Sequence, residues 1–132
     1  MNFNSSIDSK TTIGHVHLKV SDLERSVLFY TDVLGFEVMQ RMGKSAAFLS
    51  AGGYHHHIGL NTWESADGQA PLPGTTGLYH FAILVANRKE LARAIIDLLL
   101  TNRNDKSPDI VDAGGWRFVI GKGKVNKAFG RA

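Results

Sequence analysis

Cysteine is absent from the 132-residue sequence. Disulfides and thiolate metal sites are therefore excluded, and any metal chemistry must use His, Asp, Glu and water, a set that suits hard or borderline divalent ions. Long apolar runs are missing as well. None approaches the roughly 20 residues that span a bilayer, and Met1 to Thr12 is polar with no apolar signal core. No membrane partner and a cytoplasmic location are the expectations. Proline is scarce, at three residues, and charge is moderate, at 20% against 43% hydrophobic. That balance describes a folded globular chain rather than a disordered one. Its length suits one ordinary domain's worth of core.

The net charge of +3 is unevenly spread. Residues 1–100 carry eight Lys/Arg against nine Asp/Glu, whereas residues 101–132 carry seven Lys/Arg against three Asp. The basic pI thus belongs to the last quarter of the chain. No aromatic stripe interleaves with those cations, so the pattern reads as a solvated surface and no nucleic-acid partner is expected.

Thr12 to Val20 alternates, with Ile13, His15, His17 and Lys19 on one face and Val16, Leu18 and Val20 on the other, a strand period. Ser21-Asp22-Leu23-Glu24 follows as a capping-box pattern that opens a helix. Leu23, Val27, Tyr30 and Leu34 make one helical stripe, and Gly35 can end it in a left-handed conformation. Phe36–Met42, Lys44–Ser50 and Tyr54–Thr62 read as three strands separated by Gly43 and by Gly52-Gly53. The order is βαβββ. Residues 63–76, with Gly68, Pro71, Pro73 and Gly74, read as a linker. A strand then returns over Gly77–Val85. A second helix follows, capped by Asn87 with Glu90 three residues on, its stripe formed by Leu91, Ile95 and Leu98.

The two strand–helix units align at one offset of 65 residues. His15 falls on His80, Val16 on Phe81, Leu18 on Ile83, Asp22 on Asn87 and Leu34 on Leu99. Any two amphipathic units share some of this. A histidine at the same position of both is the less accidental part and makes an internal repeat the reading to test. The repeat weakens after about residue 100, where Arg117–Ile120 reads as one strand and no second set of three strands is visible. The organisation expected is a polar tail over residues 1–11, a first module over 12–62, a linker over 63–76, and an incomplete or altered second module over 77–132.

Histidines on equivalent strands of two repeated modules can face each other across a shared cleft. Imidazole is the commonest protein ligand for divalent transition metals. Two His and one carboxylate on one side of an ion leave positions open, the arrangement of non-haem iron oxygenases. A lone strand histidine is more often structural than a ligand, and the symmetry lifts His15 and His80 above that. His17 shares a face with His15, but its counterpart is Ala82. His55-His56-His57 cannot all face one way on a strand. They are either an exposed cluster or a source of one neutral imidazole for proton transfer near neutral pH.

Ile13-Gly14-His15-Val16-His17-Leu18-Lys19-Val20-Ser21-Asp22-Leu23, with Phe29-Tyr30 and Leu34-Gly35-Phe36, resembles the opening module of the glyoxalase, bleomycin-resistance and dioxygenase superfamily, the vicinal oxygen chelate fold. Gly52-Gly53-Tyr54-His55-His56-His57-Ile58-Gly59-Leu60-Asn61-Thr62-Trp63 and Gly74-Thr75-Thr76-Gly77-Leu78-Tyr79-His80-Phe81-Ala82 resemble a narrower group, the bacillus-type catechol 2,3-dioxygenases. The likeness covers roughly residues 12–100. It implies an α+β fold of paired βαβββ modules, the second incomplete, whose sheets curl around a metal. It implies His15 and His80 as ligands to Fe(II) or Mn(II), and an acid–base histidine on the fourth strand, His56 first and His57 next. Glyoxalases place a Glu ligand on that strand, where Gly59 stands. The resemblance also implies a carboxylate ligand and a Tyr near the end of the second module, and residues 101–132 hold neither Glu nor Tyr.

The function expected from the resemblance is extradiol ring cleavage of catechol-type aromatics. The alternatives are a non-catalytic small-molecule-binding module of the bleomycin-resistance kind and a glyoxalase-like lyase. An incomplete second module leaves a sheet edge open, and open edges tend to pair with another chain. A homodimer is expected.

Overall fold

The computed structural model describes residues 6–103 and 117–122, with the backbone alone described at His80, residues 101–103 and residues 117–122. The chain opens with β1 (Val16–Lys19), α1 (Leu23–Leu28) and a π-helical turn (Phe29–Val33). Then come β2 (Glu37–Met42), β3 (Ala46–Ser50) and β4 (Ile58–Asn61). This is the expected βαβββ order. The strands form one sheet in the order β1-β4-β3-β2. β1 runs parallel to β4, with His17 opposite Gly59. β4 and β3 are antiparallel, with Phe48 opposite Gly59. β2 pairs antiparallel with β3 and is bulged between Val38 and Gln40.

Helix α1 starts where a side chain can cap it. Asp22 is extended (φ −133°, ψ 112°), and its Oδ1 accepts the Arg25 N–H at 3.0 Å. The capping role thus falls on Asp22, one residue later than the Ser21 pattern suggests. Asp22 also binds Ser26 through its carbonyl, which accepts the Ser26 hydroxyl at 2.8 Å. The π turn carries consecutive Phe29 and Tyr30, both of which are buried, together with Val33. Gly35 closes the segment at φ +80°.

The core lies between α1 and one face of the sheet. Leu18, Val20, Leu23, Val27, Leu49 and Leu60 belong to it. Burying each such aliphatic side chain stabilises the fold by about 1.5–3 kcal/mol. The opposite face of the sheet, which does not meet α1, carries His15 and His17. Alternation along β1 therefore separates packing from chemistry.

β5 (His80–Val85), α2 (Arg88–Arg103) and β6 (Arg117–Lys122) follow. β5 and β6 pair in parallel. The pairing echoes β1 with β4, and the start of α2 lies 65 residues after the start of α1. Among the described residues the second unit has this one further strand, as the sequence suggested. The Asn87 cap is present, its Oδ1 accepting the Glu90 N–H at 3.0 Å. The stripe differs from expectation: Ala94 is 6% exposed and Ile95 45%. The helix turns Leu91, Ala94 and Leu98 inward, because the small Ala94 lets it come close while Arg93 reaches back towards Gly35.

Candidate metal centre and cleft

The largest departure from the sequence reading is the histidine run. Strand β4 begins at Ile58, so His55, His56 and His57 precede it rather than alternate within it. Gly52 and Gly53, at φ +71° and +79°, set a left-handed path that L side chains rarely adopt. The chain then rejoins the sheet at His57. Its N–H donates to the Leu49 carbonyl at 2.8 Å, and its carbonyl accepts the Val16 N–H at 3.0 Å. Freed from strand alternation, two adjacent histidines can reach the same point in space.

They do so beside His15. The ring centroids of His15 and His56 are 4.4 Å apart, those of His55 and His56 4.5 Å, and those of His15 and His55 6.0 Å. One ring nitrogen from each of the three lies within 4.8 Å of the others. The sequence reading named His55 only within the run His55-His56-His57 and gave it no role of its own. The Gly52-Gly53 pair three residues before it was the available signal.

His57 is placed differently. Its Nδ1 accepts the Ala51 N–H at 3.2 Å and lies 3.1 Å from the hydroxyl of fully buried Ser50. An accepting Nδ1 carries no proton, so neutral His57 keeps its hydrogen on Nε2. The ring and backbone of His57 together join β1, β3 and β4. His17 lies across Gly59, its ring 5.8 Å from that of Phe48 and 5.5 Å from that of Trp63. A Cβ on Gly59 would stand 3.0 Å from the His17 ring. A carboxylate side chain at Gly59, the glyoxalase arrangement, therefore has no room while His17 stays where it is.

Electrostatics favour the neutral ring at His56 and His17. Burial first, then the neighbouring charges of His15, His55, His17 and His57, hold His56 below the ordinary imidazole value. Burial and then His15 lower His17 in the same sense. Neutral rings are the form that binds metals and accepts protons.

A cleft of about 650 Å³ opens between β1 and β5. Its walls include Ile13, His15, Val16, Phe36, Phe81 and Ile83. Its size and mainly apolar walls suit a small ligand. A second hollow of about 440 Å³ lies beside His17, Lys19 and Glu64. His80 begins β5, but its side chain lies outside the described residues, so the expected His15–His80 pairing is not observed directly. Asp105, Asp109 and Asp112 also lie outside them.

The donor set can be tested against the Fe(II) or Mn(II) centre that the resemblance implies. Three imidazoles within 4.8 Å suit a borderline divalent ion, but among the described residues no carboxylate joins the group. The two-histidine, one-carboxylate set is therefore not assembled by these residues.

Comparison with known proteins agrees with the fold. The family model described as the Glyoxalase/Bleomycin resistance protein/Dioxygenase superfamily matches residues 12–102. The catechol-2,3-dioxygenase of Bacillus subtilis (strain 168) is 46% identical over 88 residues, covering 66% of this chain and 31% of that protein. The metapyrocatechase of Geobacillus stearothermophilus is 32% identical over 97 residues, covering 74% and 27%. The chain thus spans less than a third of the length of these relatives. Among solved structures, a glyoxylase/bleomycin resistance protein/dioxygenase domain from Frankia sp. EAN1pec aligns with a TM-score of 0.55 at 24% identity, covering 71% of this chain and 76% of that one. Lactoylglutathione lyase from Agrobacterium tumefaciens aligns at 0.51 and 22%, covering 72% and 73%. Both show the fold alone. By the span of the family match and by its βαβββ architecture, this chain belongs to the glyoxalase/bleomycin resistance protein/dioxygenase superfamily.

Proposed function

We propose that the chain is a domain of the extradiol ring-cleavage type that takes a catechol-like aromatic into the cleft between β1 and β5. The observation that carries this reading is the position of His15 on the wall of an apolar cleft of about 650 Å³, with His56 packed against its ring. The likeness to a catechol-2,3-dioxygenase and a metapyrocatechase supports the substrate class. In this reading Val16, Phe36 and Phe81 sandwich the ring, and the catechol hydroxyls face His15. His56, held against the His15 ring beside the cleft, would accept a hydroxyl proton, and His57, which lines the cleft, holds the strand ends in place. His15 and His80 would hold an Fe(II) or Mn(II) ion, whose chemistry is to bring dioxygen and the catechol oxygens together. A carboxylate ligand would come from outside the described residues, and no step is derived through the metal. The same reading places the protein in the cytoplasm as a homodimer.

The all-imidazole group favours a second reading, a non-catalytic module that binds the aromatic without cleaving it. One experiment separates the two. Protein loaded anaerobically with Fe(II) is mixed with catechol and then exposed to air. A yellow ring-cleavage product supports the first reading, and binding without product supports the second. Absence of catechol binding contradicts both. A glyoxalase-like activity is disfavoured by Gly59, over which the His17 ring lies.

A further inference from the structure

We propose that His15, His55 and His56 form a three-imidazole cation site, complete within the first βαβββ module and selective for borderline ions of the zinc and nickel class. This inference does not rest on the ring-cleavage reading. It needs neither His80 nor any residue after β4.

The distances leave a gap that side-chain rotation can close. In a tetrahedral site two nitrogens stand about 3.4 Å apart, because each zinc–nitrogen bond runs about 2.1 Å. The three nitrogens here lie within 4.8 Å of one another without an ion between them. Rotation of the exposed rings must therefore draw the donors together by up to about 1.4 Å. His15 and His55 are exposed, and the rings they meet, His56 for both and Tyr54 for His55, lie at the surface with them rather than in the core.

The backbone fixes the donors before any ion arrives. His15 directly precedes the Val16 N–H that binds the His57 carbonyl at 3.0 Å, and the His57 N–H binds the Leu49 carbonyl at 2.8 Å. The His57 ring is itself held by Ser50 and Ala51. The segments carrying His15 and His55-His56 are thereby joined at one point of the sheet. Gly52 and Gly53 supply the left-handed turn that brings the second segment there. Preformed placement of this kind lowers the ordering cost of binding.

The chemistry of the donors sets the ion. Imidazoles suit zinc, nickel and copper, whereas magnesium, calcium and manganese prefer oxygen ligands. No carboxylate enters the group among the described residues. Three ligands on an exposed edge leave a fourth position for water, the pattern of open zinc sites. Filling the site takes His15 and His56 together, so it excludes use of His56 as a proton acceptor.

The test is calorimetric titration of untagged full-length protein with zinc chloride, repeated with Co(II) as a visible-absorbing substitute. The expected result is one equivalent bound in the micromolar range or tighter. His15→Ala, His55→Ala and His56→Ala should each weaken it by roughly tenfold or more, at least the loss seen when a supporting interaction at a metal is removed. His17→Ala and His80→Ala should leave it unchanged. His55 is exposed, so His55→Ala and His55→Gln keep the fold and report ligation alone, with metal-free circular dichroism as the check. No binding at micromolar zinc overturns the proposal. So does binding that survives both His55 variants, and so does binding lost in His80→Ala, which would place the ion between the two modules instead. Catechol binding or turnover is read separately, so failure of the ring-cleavage reading leaves this result standing.

Discussion

At the scale of single residues the histidines divide by their neighbours rather than by their place in the sequence. His57 spends its Nδ1 on the Ala51 N–H beside the Ser50 hydroxyl, and its backbone joins three strands. His15, His55 and His56 keep ring nitrogens for each other. This division predicts how stability responds to acid. The folded-state values of His17 and His56 lie below the ordinary imidazole value of about 6.5. Where the pH is below that value but above the folded values, the unfolded chain binds more protons, so stability rises with pH across that window. Metal-free protein should therefore lose melting temperature as the pH falls from 7.5 towards 5, with little change above 7.5. His56→Gln should flatten the slope. A melting temperature constant across this range, or an unchanged slope in His56→Gln, would contradict the assignment. The sequence showed His15 as the residue to watch but favoured His56 and His57 over His55. Strand alternation, extended back from β4, assigns the wrong neighbours once Gly52 and Gly53 redirect the chain.

At the scale of elements, the local signals were legible and the packing phases were not. The strand period of Val16–Lys19, the start of α1, the Asn87 cap and the left-handed Gly35 all follow from short-range chemistry, and all are present. The inward stripe of α2 was misjudged because Ala94 and Ile95 both suit an apolar face. Only the approach of Arg93 to Gly35 shows which one turns inward. The π turn was equally invisible, since nothing in the apolar stripe Leu23, Val27, Tyr30 and Leu34 distinguishes it from regular helix. Helix α1 is short, at six residues, and leans on its cap. Asp22→Ala removes the acceptor of the Arg25 N–H and should cost about 1 kcal/mol, read as a lower midpoint in urea with an unchanged slope. Ser21→Ala should cost less, because the Ser21 side chain is not the cap. Equal losses in the two variants would contradict the observed cap.

At the scale of the whole molecule, one module is well packed and the second shows apolar surface. Ile95, Ile96, Leu99 and Leu100 on α2 are exposed, and every residue of the edge strand β2 is exposed as well. No described helix is long and apolar enough to cross a membrane. Such surfaces invite association, so light scattering after size exclusion at micromolar concentration should give a homodimer mass. A monomer mass would contradict that expectation. The family was legible in the sequence, from the motif around His15 and the run over residues 52–63. The completeness of the metal set was not, because a third ligand depends on long-range placement. The central claim is that this cleft takes a catechol-like ring beside His15. Backbone amide NMR during titration with catechol tests it most directly. The account predicts saturable shifts around the cleft, at Ile13–Val16, Phe36, His57–Ile58 and Phe81–Leu84. Shifts at Lys19, Glu64 and Ser65 instead, around the second hollow, or no saturable shifts at all, would contradict it.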